Sequence, residues 1–572
     1  MNNQELAKIF YQIAEFLEMD GVSFKPYAYR KAAFSLENLK EDVFDIYKKG
    51  GNKALQDIPG VGENIADHIE EYLKTGKIKI YQDYQKKLPF KMDELMRVEG
   101  LGPKRIKFLY QKLGIKNLKE LEKFAKAHKI SPLFGFGEKT EKNILQGIEF
   151  QKQNKGRFTL GEILPVAEEI LEELKKVKEV EQVSLAGSLR RRRETIGDVD
   201  ILVVSKNPKK VMDFFASLDM VQKVLAKGNT KTSIHTKDGF DVDLRVIPEE
   251  SYGSALQYFT GSKEHNIATR KIAIEKGFKL SEYGLFKGSK MIAGKTEEEI
   301  YRALGLSYIQ PEMRENQGEI EAGLNKMLPQ IIELKDIQGD LHCHSDWNGG
   351  ENSIEEMADK ALKMGYKYIG ISDHTQFLKI ENGLNEKQLL KQNEEIKRIN
   401  EKYKIKGLRI LHGCEANILN NGEADIKNEV LEKLDYVIAG IHSNLKMKKD
   451  EMTKRLITAI KNTNIDIISH PTGRLINRRE EYQIDFDRVL KAAKDTGTIL
   501  EINSSPDRLD LKEIYIRRAK EVGVKMIINT DAHRVEQLDL INYGVSQARR
   551  GWAERKDIIN TQSVEKLIKF FK

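Results

Sequence analysis

Two acidic residues separated by one position, Asp198 and Asp200, lie between two apolar runs of the chain. Residues 183–186 precede them and residues 201–204 follow them, and both runs are typical of β-strands. Side chains two apart along a strand point to the same face, so this spacing places two carboxylates side by side. Such a pair needs cations close by, and carboxylate oxygens suit Mg²⁺, which shares its remaining positions with phosphates. The stretch therefore predicts a magnesium site.

A third acid fits the same pattern. Asp243 lies in residues 240–246, which alternate as a strand, and three carboxylates can hold two cations for a phosphoryl transfer. Before Asp198, a Gly187-Ser188 turn exposes backbone N–H groups, and four consecutive arginines follow it. A solvated acidic turn beside a basic surface run is the alternative for the Asp-x-Asp pair alone. The ordered set of these features favours the metal site.

These residues resemble the nucleotidyltransferase palm of family X DNA polymerases. The similarity continues at residues 258–262, Tyr-Phe-Thr-Gly-Ser, and at two polar residues after them. The resemblance implies that Asp198 and Asp200 bridge two Mg²⁺ ions. It also implies that Asp243 binds the catalytic ion and takes the proton of a primer 3′-hydroxyl. The nucleotide-binding residues that it implies are Gly187, Ser188, Arg191, Gly197, Tyr258, Phe259, Gly261, Asn266 and Arg270.

Three neighbours of this site are expected to lie outside it. Asp241 shares a strand face with Asp243, but the family pattern requires only the acid that precedes Leu-Arg. The resemblance directs Arg192 and Arg193 towards solvent or the template phosphates. Asp241 is therefore expected to be dispensable for the chemistry.

The length and composition of the chain limit its class. At 572 residues it is too long for one core, so several domains are expected. No stretch is apolar enough for a membrane span, and the N-terminus lacks the pattern of a signal peptide. Two cysteines, Cys343 and Cys414, cannot form a disulfide framework, which favours the cytoplasm, with association to the nucleoid. The net charge of +8 does not by itself establish nucleic-acid binding.

The first 150 residues show helical periodicity and repeated glycine turns. A Gly-x-Gly turn before a helix occurs at Gly60 and Gly62 and recurs at Gly100 and Gly102, with a weaker copy at residues 134–137. One such turn alone indicates only the start of a helix, but its N–H groups can bind DNA phosphates without reading sequence. The repeated copies resemble helix-hairpin-helix motifs. Basic side chains expected to add phosphate contacts are Arg30, Lys31 and Lys104.

In some family members the first helical subdomain also removes the sugar-phosphate at an abasic site, using a lysine amine. At the corresponding position this chain has His68, and a neighbouring basic position carries Asn64. Because imidazole is a poor Schiff-base former, we expect lyase activity to be absent or weak. Borohydride trapping of a covalent DNA adduct in this subdomain would contradict that expectation.

From about residue 336 the pattern changes, and short β-rich runs end repeatedly in a potential metal ligand. Helical stretches separate most of the seven runs, which predicts parallel strands around a barrel, with the chemistry at their C-terminal ends. A single histidine at a strand end is more often a core residue, but the repeated pattern is hard to explain by packing. The strand-end residues are His342, His344, His374, Glu415, His442, His470, Asp531 and His533.

This pattern resembles the PHP (polymerase and histidinol phosphatase) domain that bacterial family X polymerases carry at the C-terminus. The resemblance implies that these strand-end residues bind two to three Mn²⁺ or Zn²⁺ ions, with Glu415 as the bridging acid. The chain departs from the family at Gly349, which stands where an aspartate ligand is usual. Either Asp346 or Glu351 is expected to substitute, or one ion binds weakly.

Other residues of this region have expected roles near the metals. Asp373 is expected to orient a ligand, and Arg474 to hold a phosphate. His412 lies outside the pattern, so no metal role is expected for it.

These patterns predict a multidomain fold with an N-terminal all-α helix-hairpin-helix region, an α/β nucleotidyltransferase palm with a thumb, and a C-terminal (β/α)7 PHP barrel. A partly helical connector is expected at residues 312–334. The predicted boundaries are 1–80 and 81–150 for the two helical domains, 151–250 for the palm, 251–315 for the thumb, 316–335 for a linker and 336–572 for the barrel.

The resemblance implies a monomeric repair polymerase that adds dNTPs to gapped or primer-template DNA without sequence specificity. The barrel is expected to act as a 3′-5′ exonuclease or 3′-end phosphoesterase, with cleavage at abasic sites as an option. Two alternatives stay open. The barrel could be a non-catalytic scaffold beside an active palm, or a phosphatase for small phosphate esters beside an inactive palm. The intact palm acids argue against the second.

Overall fold

The computed structural model describes residues 3–22, 24–37, 39, 41–88, 90–96, 98, 101–153, 156–379 and 382–571. The chain divides into two compact units, Met1–Lys155 and Gly156–Lys572. Within these described ranges, no helix combines the length and the apolar character that a bilayer crossing requires.

The first unit consists of helices around two separate cores. Apolar residues at helical spacing, among them Leu6, Phe10 and Ile13, are buried in the first core, and Leu101 is buried in the second. The helices are α1 (Asn3–Met19), α2 (Lys25–Glu37), α3 (Val43–Leu55), α4 (Glu63–Thr75), α5 (Lys79–Lys87), α6 (Met92–Met96), α7 (Pro103–Leu113), α8 (Leu118–Lys126) and α9 (Glu138–Gln153).

The palm begins the second unit. Its elements are β1 (Phe158–Thr159), α10 (Leu160–Lys175), β2 (Val180–Leu185), α11 (Gly187–Arg190), β3 (Thr195–Ile196), β4 (Asp198–Ser205), α12 (Pro208–Ala216), β5 (Val221–Lys227), β6 (Lys231–Thr236) and β7 (Asp241–Val246). The five-stranded sheet has the order β2-β4-β7-β6-β5, and β4 and β7 are parallel neighbours. Val199, Ile201 and Val242 are buried against α10 and α12, so the alternating aspartates lie on the opposite face.

The thumb follows the palm. Its elements are α13 (Tyr252–Thr260), α14 (Lys263–Glu275), β8 (Lys279–Ser281), β9 (Gly284–Lys287), β10 (Lys290–Ala293), α15 (Glu297–Ala303) and, after it, α16 (Glu319–Leu324). The connector predicted over residues 312–334 is helical in part, as expected, since α16 lies within it. Pro329 disfavours a longer helix, and Ile332 instead donates its backbone N–H to the carbonyl oxygen of Ala553 at 2.9 Å.

The barrel alternates strands and helices. Its elements are β11 (Gly339–Asp340), α17 (Ile354–Lys363), β12 (Tyr368–Ile371), α18 (Glu386–Lys404), β13 (Arg409–His412), β14 (Glu415–Asn417), α19 (Asn428–Leu431), β15 (Ile438–Gly440), α20 (Lys449–Ile460), β16 (Ile467–Ile468), α21 (Phe486–Thr496), β17 (Ile499–Asn503), α22 (Glu513–Val522), β18 (Met526–Asn529), α23 (Ile541–Arg550) and α24 (Val564–Leu567).

The barrel strands pair in parallel as β11-β12-β13 and β14-β15-β16-β17-β18. A bridge between His374 and Glu415 joins the two sheets, and a bridge between Cys343 and Ala532 joins the first strand to the last, so the path is closed. The predicted fold class is confirmed. The count of seven strands stays a prediction, since it depends on whether β13 and β14 are taken as one strand.

Within the second unit the palm and the barrel share a core. Ile476, Leu509 and Tyr543 of the barrel are buried in the same apolar cluster as the palm strands. Gly161 of α10 packs so closely on Pro506 that a Cβ at Gly161 would lie 2.3 Å from the proline Cβ. The palm and the barrel are therefore packed as one body.

Two candidate metal-dependent active sites

The predicted palm acids converge on the solvent-facing side of the sheet. In the register of β4 and β7, Asp200 lies opposite Asp243 and Asp198 lies opposite Asp241. Asp241 is on the same face, but its Oδ1 is 2.6 Å from His235 Nδ1, so it has a partner of its own. The structure thus brings together the three acids that were predicted from two separate stretches of sequence.

The neighbouring palm acids place negative charges close to the carboxylate of Asp200. Burial, followed by the carboxylates of Asp198 and Asp243, raises the pKa of Asp200 to about 6. Asp243 instead accepts hydrogen bonds from Ser233 Oγ at 2.5 Å and pairs with Lys231 Nζ at 2.6 Å. A divalent cation would relieve this repulsion, so the three acids fit the predicted Mg²⁺ site. Sequence reasoning missed Lys231 and Ser233, because only the pairing of β6 with β7 places them there.

The Gly187-Ser188 turn lies directly against this site. Gly187 has a φ of +63°, and a Cβ at that position would lie 2.7 Å from Asp200 Oδ2, so glycine is required. Ser188 and Gly197 are half-buried. Their contacts with a nucleotide stay a prediction.

The arginines after the turn are engaged by neighbouring groups. Arg191 donates through Nε to Glu315 Oε1 at 3.1 Å and through Nη1 to the carbonyl oxygen of Thr260. Arg193 donates to the other oxygen of Glu315 at 3.2 Å. Arg192 and Arg193 are both partly exposed, with 30% and 38% of their side chains accessible, which agrees with the expectation that they face solvent. Contacts of either arginine with the template stay a prediction.

The predicted sugar platform forms where α13 meets α14. The rings of Tyr258 and Phe259 are half-buried and meet edge to face, with their centroids 5.1 Å apart. Asn266 Nδ2 donates to the carbonyl oxygen of Tyr258 at 2.6 Å, which holds this turn of the chain. Gly261 ends α13 with a φ of +70°, and the exposed Arg270 lies with its guanidinium carbon 6.0 Å from the Tyr258 ring.

Glu415 lies at the centre of the barrel site. Its Oε1 is 3.3 Å from His442 Nε2 and 3.0 Å from His470 Nε2. Its Oε2 is 2.7 Å from His374 Nδ1 and 3.4 Å from His342 Nε2. Each oxygen of one buried carboxylate therefore faces its own pair of histidines, which is the arrangement expected of a bridging acid.

Asp531, His344 and His533 complete the cluster. Asp531 Oδ1 lies 3.3 Å from His344 Nε2 and 3.5 Å from His342 Nε2, and the rings of His344 and His533 stack with centroids 4.1 Å apart. Ligand atoms within 4.8 Å of one another form three overlapping groups: His344, His374 and His533; His342, His344 and Glu415; and His374, Glu415 and His442.

Several ligand atoms of this cluster are buried without a hydrogen-bond partner. Among the described residues they include His342 Nε2, His344 Nε2 and Glu415 Oε2. Unpaired buried polar atoms are costly, and metal ions bound by these three atoms would satisfy them. A donor set of imidazoles and carboxylates suits Mn²⁺ or Zn²⁺, so the residues fit the predicted metals.

The cluster sets histidines and acids close to one another. Burial would raise the pKa of Glu415, but His342 and His442 outweigh burial and hold that pKa well below its ordinary value. Burial, followed by His533, lowers the pKa of His344 well below its ordinary value, which favours the neutral imidazole. Burial would lower the pKa of His342, but Glu501 and Asp531 outweigh burial and raise it, so a metal ion that binds His342 must displace a proton.

Glu501, which was not among the predicted site residues, contacts two of the predicted metal ligands. Its Oε1 lies 2.7 Å from His342 Nδ1, and its Oε2 accepts the backbone N–H of His470 at 2.7 Å. A carboxylate on the far ring nitrogen fixes the orientation of a metal-binding histidine. An acid inside the apolar run of residues 498–503 is the signal that could have identified it.

Neither acid proposed to replace the missing aspartate at Gly349 belongs to the cluster, since Asp346 and Glu351 are both exposed. Asn348 is buried instead, with an exposed fraction of 5%. Its Nδ2 donates to the carbonyl oxygen of His374 at 3.2 Å, and its Oδ1 is buried without a partner.

Arg474 is not available to hold a phosphate, contrary to expectation. It is buried, and its Nη2 lies 2.8 Å from Glu194 Oε2 of the palm. A lone arginine after a glycine suggests an anion site, but here an acid that is distant in the sequence neutralises it.

Asp373 holds the loop after the first histidine pair by accepting hydrogen bonds from the backbone N–H and Oγ of Ser345. His412 faces Gln392 and lies outside the three groups, as expected.

The glycine turns of the first unit precede helices and leave space beside the first turn of each helix. Gly62 and Gly102 precede α4 and α7, and a Cβ at either position would meet no atom of the described residues within 4 Å. Gly60 has a φ of +81° and packs on the stem of Lys31. Gly100 lies outside the described residues. This geometry leaves room for a DNA phosphate at the first turn of each helix.

The basic side chains beside these turns differ in solvent exposure and in ion pairing. Lys104 is exposed in the first turn of α7, whereas Arg30 is paired with Glu18. His68 stacks on Tyr29 with ring centroids 6.2 Å apart, and both line a cleft of about 290 Å³ beside the start of α4. The predicted weakness of lyase chemistry at His68 stays a prediction.

Comparisons with known proteins agree with this layout. Family models match in the order helix-hairpin-helix domain (residues 1–78), SAM-like helix-hairpin-helix tandem (92–149), DNA polymerase beta palm (159–247), DNA polymerase beta thumb (255–315) and PHP domain (340–505). The chain is 38% identical over 577 residues to the DNA polymerase/3′-5′ exonuclease PolX of Bacillus subtilis, covering 100% of both chains. This protein belongs to the family X DNA polymerases that carry a PHP domain.

Other relatives resemble a smaller part of this family X polymerase. A probable phosphatase of Caldanaerobacter subterraneus is 36% identical over 205 residues, covering 34% of this chain and 75% of its own length. A probable phosphatase of Thermoanaerobacter is also 36% identical over 205 residues, covering 78% of its own length. The prediction of a family X enzyme with a PHP domain is confirmed, and the domain boundaries stay predictions.

Proposed function

We propose that this family X polymerase fills gaps in DNA by adding dNTPs to a primer 3′-hydroxyl in a two-metal mechanism. The observation that carries the proposal is the register that sets Asp200 opposite Asp243 with Asp198 on the same face. Two Mg²⁺ ions held there would stabilise the attacking and leaving oxygens of the transfer. Asp243 is the acid that takes the proton of the 3′-hydroxyl.

The nucleotide lies between the glycine turn and the thumb in this proposal. Backbone N–H groups at Gly187 and Ser188, together with Arg191, bind the triphosphate. The turn of Tyr258 and Phe259 carries the sugar. The remaining proposed nucleotide contacts are Gly197, Gly261, Asn266 and Arg270.

The first unit binds DNA through its backbone in this proposal. The helix starts at Gly62 and Gly102 supply N–H groups to phosphates, and Lys31 and Lys104 add positive charge. Contacts of this kind give salt-sensitive affinity without sequence preference. The proposed form is a monomer on gapped or primer-template DNA.

The barrel is proposed to be a metal-dependent 3′-5′ exonuclease or 3′-end phosphoesterase that holds two to three Mn²⁺ or Zn²⁺ ions. Support comes from Glu415, whose two oxygens face separate histidines, and from the relative whose name includes a 3′-5′ exonuclease. In this role Glu501 keeps His342 oriented. Cleavage at abasic sites is a further activity to test.

A gapped duplex with a 5′-labelled primer tests both activities in one assay. With Mg²⁺ and dNTPs we expect extension across the gap, and with Mn²⁺ and no dNTPs we expect shortening from the 3′ end. Absence of extension would overturn the polymerase proposal.

The relatives named as probable phosphatases favour a second candidate function, hydrolysis of small phosphate esters. Release of p-nitrophenol from p-nitrophenyl phosphate would reveal this activity.

Asn348 is proposed to supply the oxygen ligand that Gly349 cannot. Its buried Oδ1 has no partner and it lies beside His374. We expect Asn348→Ala to lower the bound metal by about one ion for each chain and Asn348→Asp to retain it, because carboxylate and amide oxygens both bind such ions.

Metal content measured by mass spectrometry after dialysis checks this prediction. Asp346→Ala, in the same loop but exposed, is the matched control and should keep the full content. Equal metal content in the Asn348→Ala and wild-type proteins would exclude the role.

A further inference from the structure

Arg550 is a buried arginine of the barrel that contacts the palm. Only 1% of its side chain is exposed. Its Nη1 donates to the carbonyl oxygen of Arg191 at 2.9 Å and to Glu315 Oε1 at 3.1 Å, and its Nη2 donates to Glu513 Oε1 at 2.8 Å. One guanidinium therefore joins the nucleotide turn, the end of the thumb at Glu315 and the barrel.

The contact with Arg191 satisfies a helix end. Arg191 is the C-terminal cap of α11. The last carbonyl oxygens of a helix receive no hydrogen bond from an N–H group of the same helix, so they need donors from elsewhere. A cationic donor at this end is favourable, because the carbonyl groups carry partial negative charge. Arg550 thus fixes the main chain at the residue whose side chain is proposed to bind the triphosphate.

Glu315 adds a second link between the two arginines. Its Oε1 accepts from both Arg550 and Arg191, and its Oε2 accepts from Arg193. Burial would raise the pKa of Glu315, but Arg550, followed by Arg191, outweighs burial and lowers it, so the carboxylate is charged. The three arginines contact Glu315, and Arg550 also pairs with Glu513, so three positive charges face two carboxylates. The excess positive charge lies beside the nucleotide turn, where it would attract a triphosphate.

The helix that carries Arg550 also packs on the barrel strands. At Gly544 of α23 a Cβ would lie 2.6 Å from Ile528 Cγ2 of β18, the strand that leads to Asp531. One helix therefore contacts both a ligand-bearing strand of the barrel and the nucleotide turn of the palm.

We propose that Arg550 is a positioning residue for DNA synthesis, which makes the barrel a structural part of the polymerase site. Arg550 acts through Arg191 and Glu315 and touches no substrate. The proposal rests on the proposed role of Arg191 in binding the triphosphate. It assigns to the barrel a part in nucleotide affinity that is separate from the metals.

The test is steady-state incorporation of one nucleotide into a one-nucleotide gap by full-length variants. For Arg550→Met we expect KM for the dNTP to rise about tenfold, the effect of losing one charge-assisted hydrogen bond, while kcat stays within about twofold. The rate of 3′-end degradation by the same preparation should not change. Arg550→Lys keeps the charge but cannot reach three acceptors, so an intermediate KM is expected.

Arg549→Met is the matched control. Arg549 precedes Arg550 in α23 and donates to Glu312 Oε1 at 2.7 Å and to the carbonyl oxygen of Ile332 at 2.9 Å. Its replacement by methionine therefore removes a similar set of hydrogen bonds. It is not among the hydrogen-bond partners of Arg191, so its KM for the dNTP should equal that of the wild type.

Three results would overturn the proposal. The first is an unchanged KM in Arg550→Met and Arg550→Lys while Arg191→Met raises KM. The second is an equal fall of kcat, nuclease rate and unfolding temperature, which indicates a purely structural role. The third is an unchanged KM in Arg191→Met itself, which removes the proposed role of Arg191 as well. If Arg550→Met does not fold, the Arg550→Lys variant decides.

Discussion

Replacing Asp243 by alanine is expected to reduce primer extension by about a thousandfold or more. The carboxylate lies opposite Asp200, and loss of a metal ligand removes several kcal/mol of charge stabilisation, with a tenfold loss for each ~1.4 kcal/mol. Lys231, which pairs with Asp243, would then place an unpaired ammonium where the cation is needed. Single-turnover extension of a gapped duplex with Mg²⁺ measures the effect.

Asp241→Ala is the control for that experiment. Asp241 shares the strand and the face of Asp243, but it is exposed and faces His235. We expect extension by Asp241→Ala to stay within about threefold of wild type, since no metal ligand is lost. DNA affinity should be the same in both variants, because the phosphates are proposed to be bound by the first unit. Extension by Asp243→Ala at the wild-type rate would refute the two-metal assignment.

The double variant His342→Ala/His344→Ala is expected to lose 3′-end degradation by about a thousandfold or more. His342 and His344 both face Asp531 and Glu415, so the variant removes one ligand from one of the three ligand groups and two ligands from another. A labelled 3′ end with Mn²⁺ measures the loss, and metal analysis should show a matching fall in bound ions.

His412→Gln separates this effect from a general disturbance of the barrel. His412 is buried at the end of β13 and hydrogen-bonds to Gln392, but it lies outside the ligand groups. Its replacement should leave degradation within about threefold of wild type. The double variant should still extend a primer. If it degrades 3′ ends as fast as wild type, the barrel is the non-catalytic scaffold of the alternative hypothesis.

The strands that carry the ligands could be predicted because each is an apolar run that contains or borders a chemically unusual residue. Asp200 and Asp243 lie inside β4 and β7, whose pairing sets them opposite each other, and Glu415 is the first residue of β14. Period-two alternation and strand-end placement are local properties, so one sequence contains them.

The supporting residues could not be predicted in the same way. Lys231 reaches Asp243 only through the pairing of β6 with β7, and Glu501 meets His342 across the barrel. Arg474 misled the prediction, because its partner Glu194 lies in another domain. A charged residue in a loop has the same local appearance whether it binds a ligand or a distant opposite charge.

The close packing of Gly161 on Pro506 has a consequence for the evolution of the two activities. A chain shortened before the barrel would uncover Gly161 of α10, remove Ile476, Leu509 and Tyr543 from the core of the palm, and leave Glu194 without Arg474. A lineage that no longer needs the nuclease is therefore expected to keep the whole barrel and to lose only its histidines. Selection for DNA synthesis alone would therefore preserve the barrel fold after its nuclease activity has been lost.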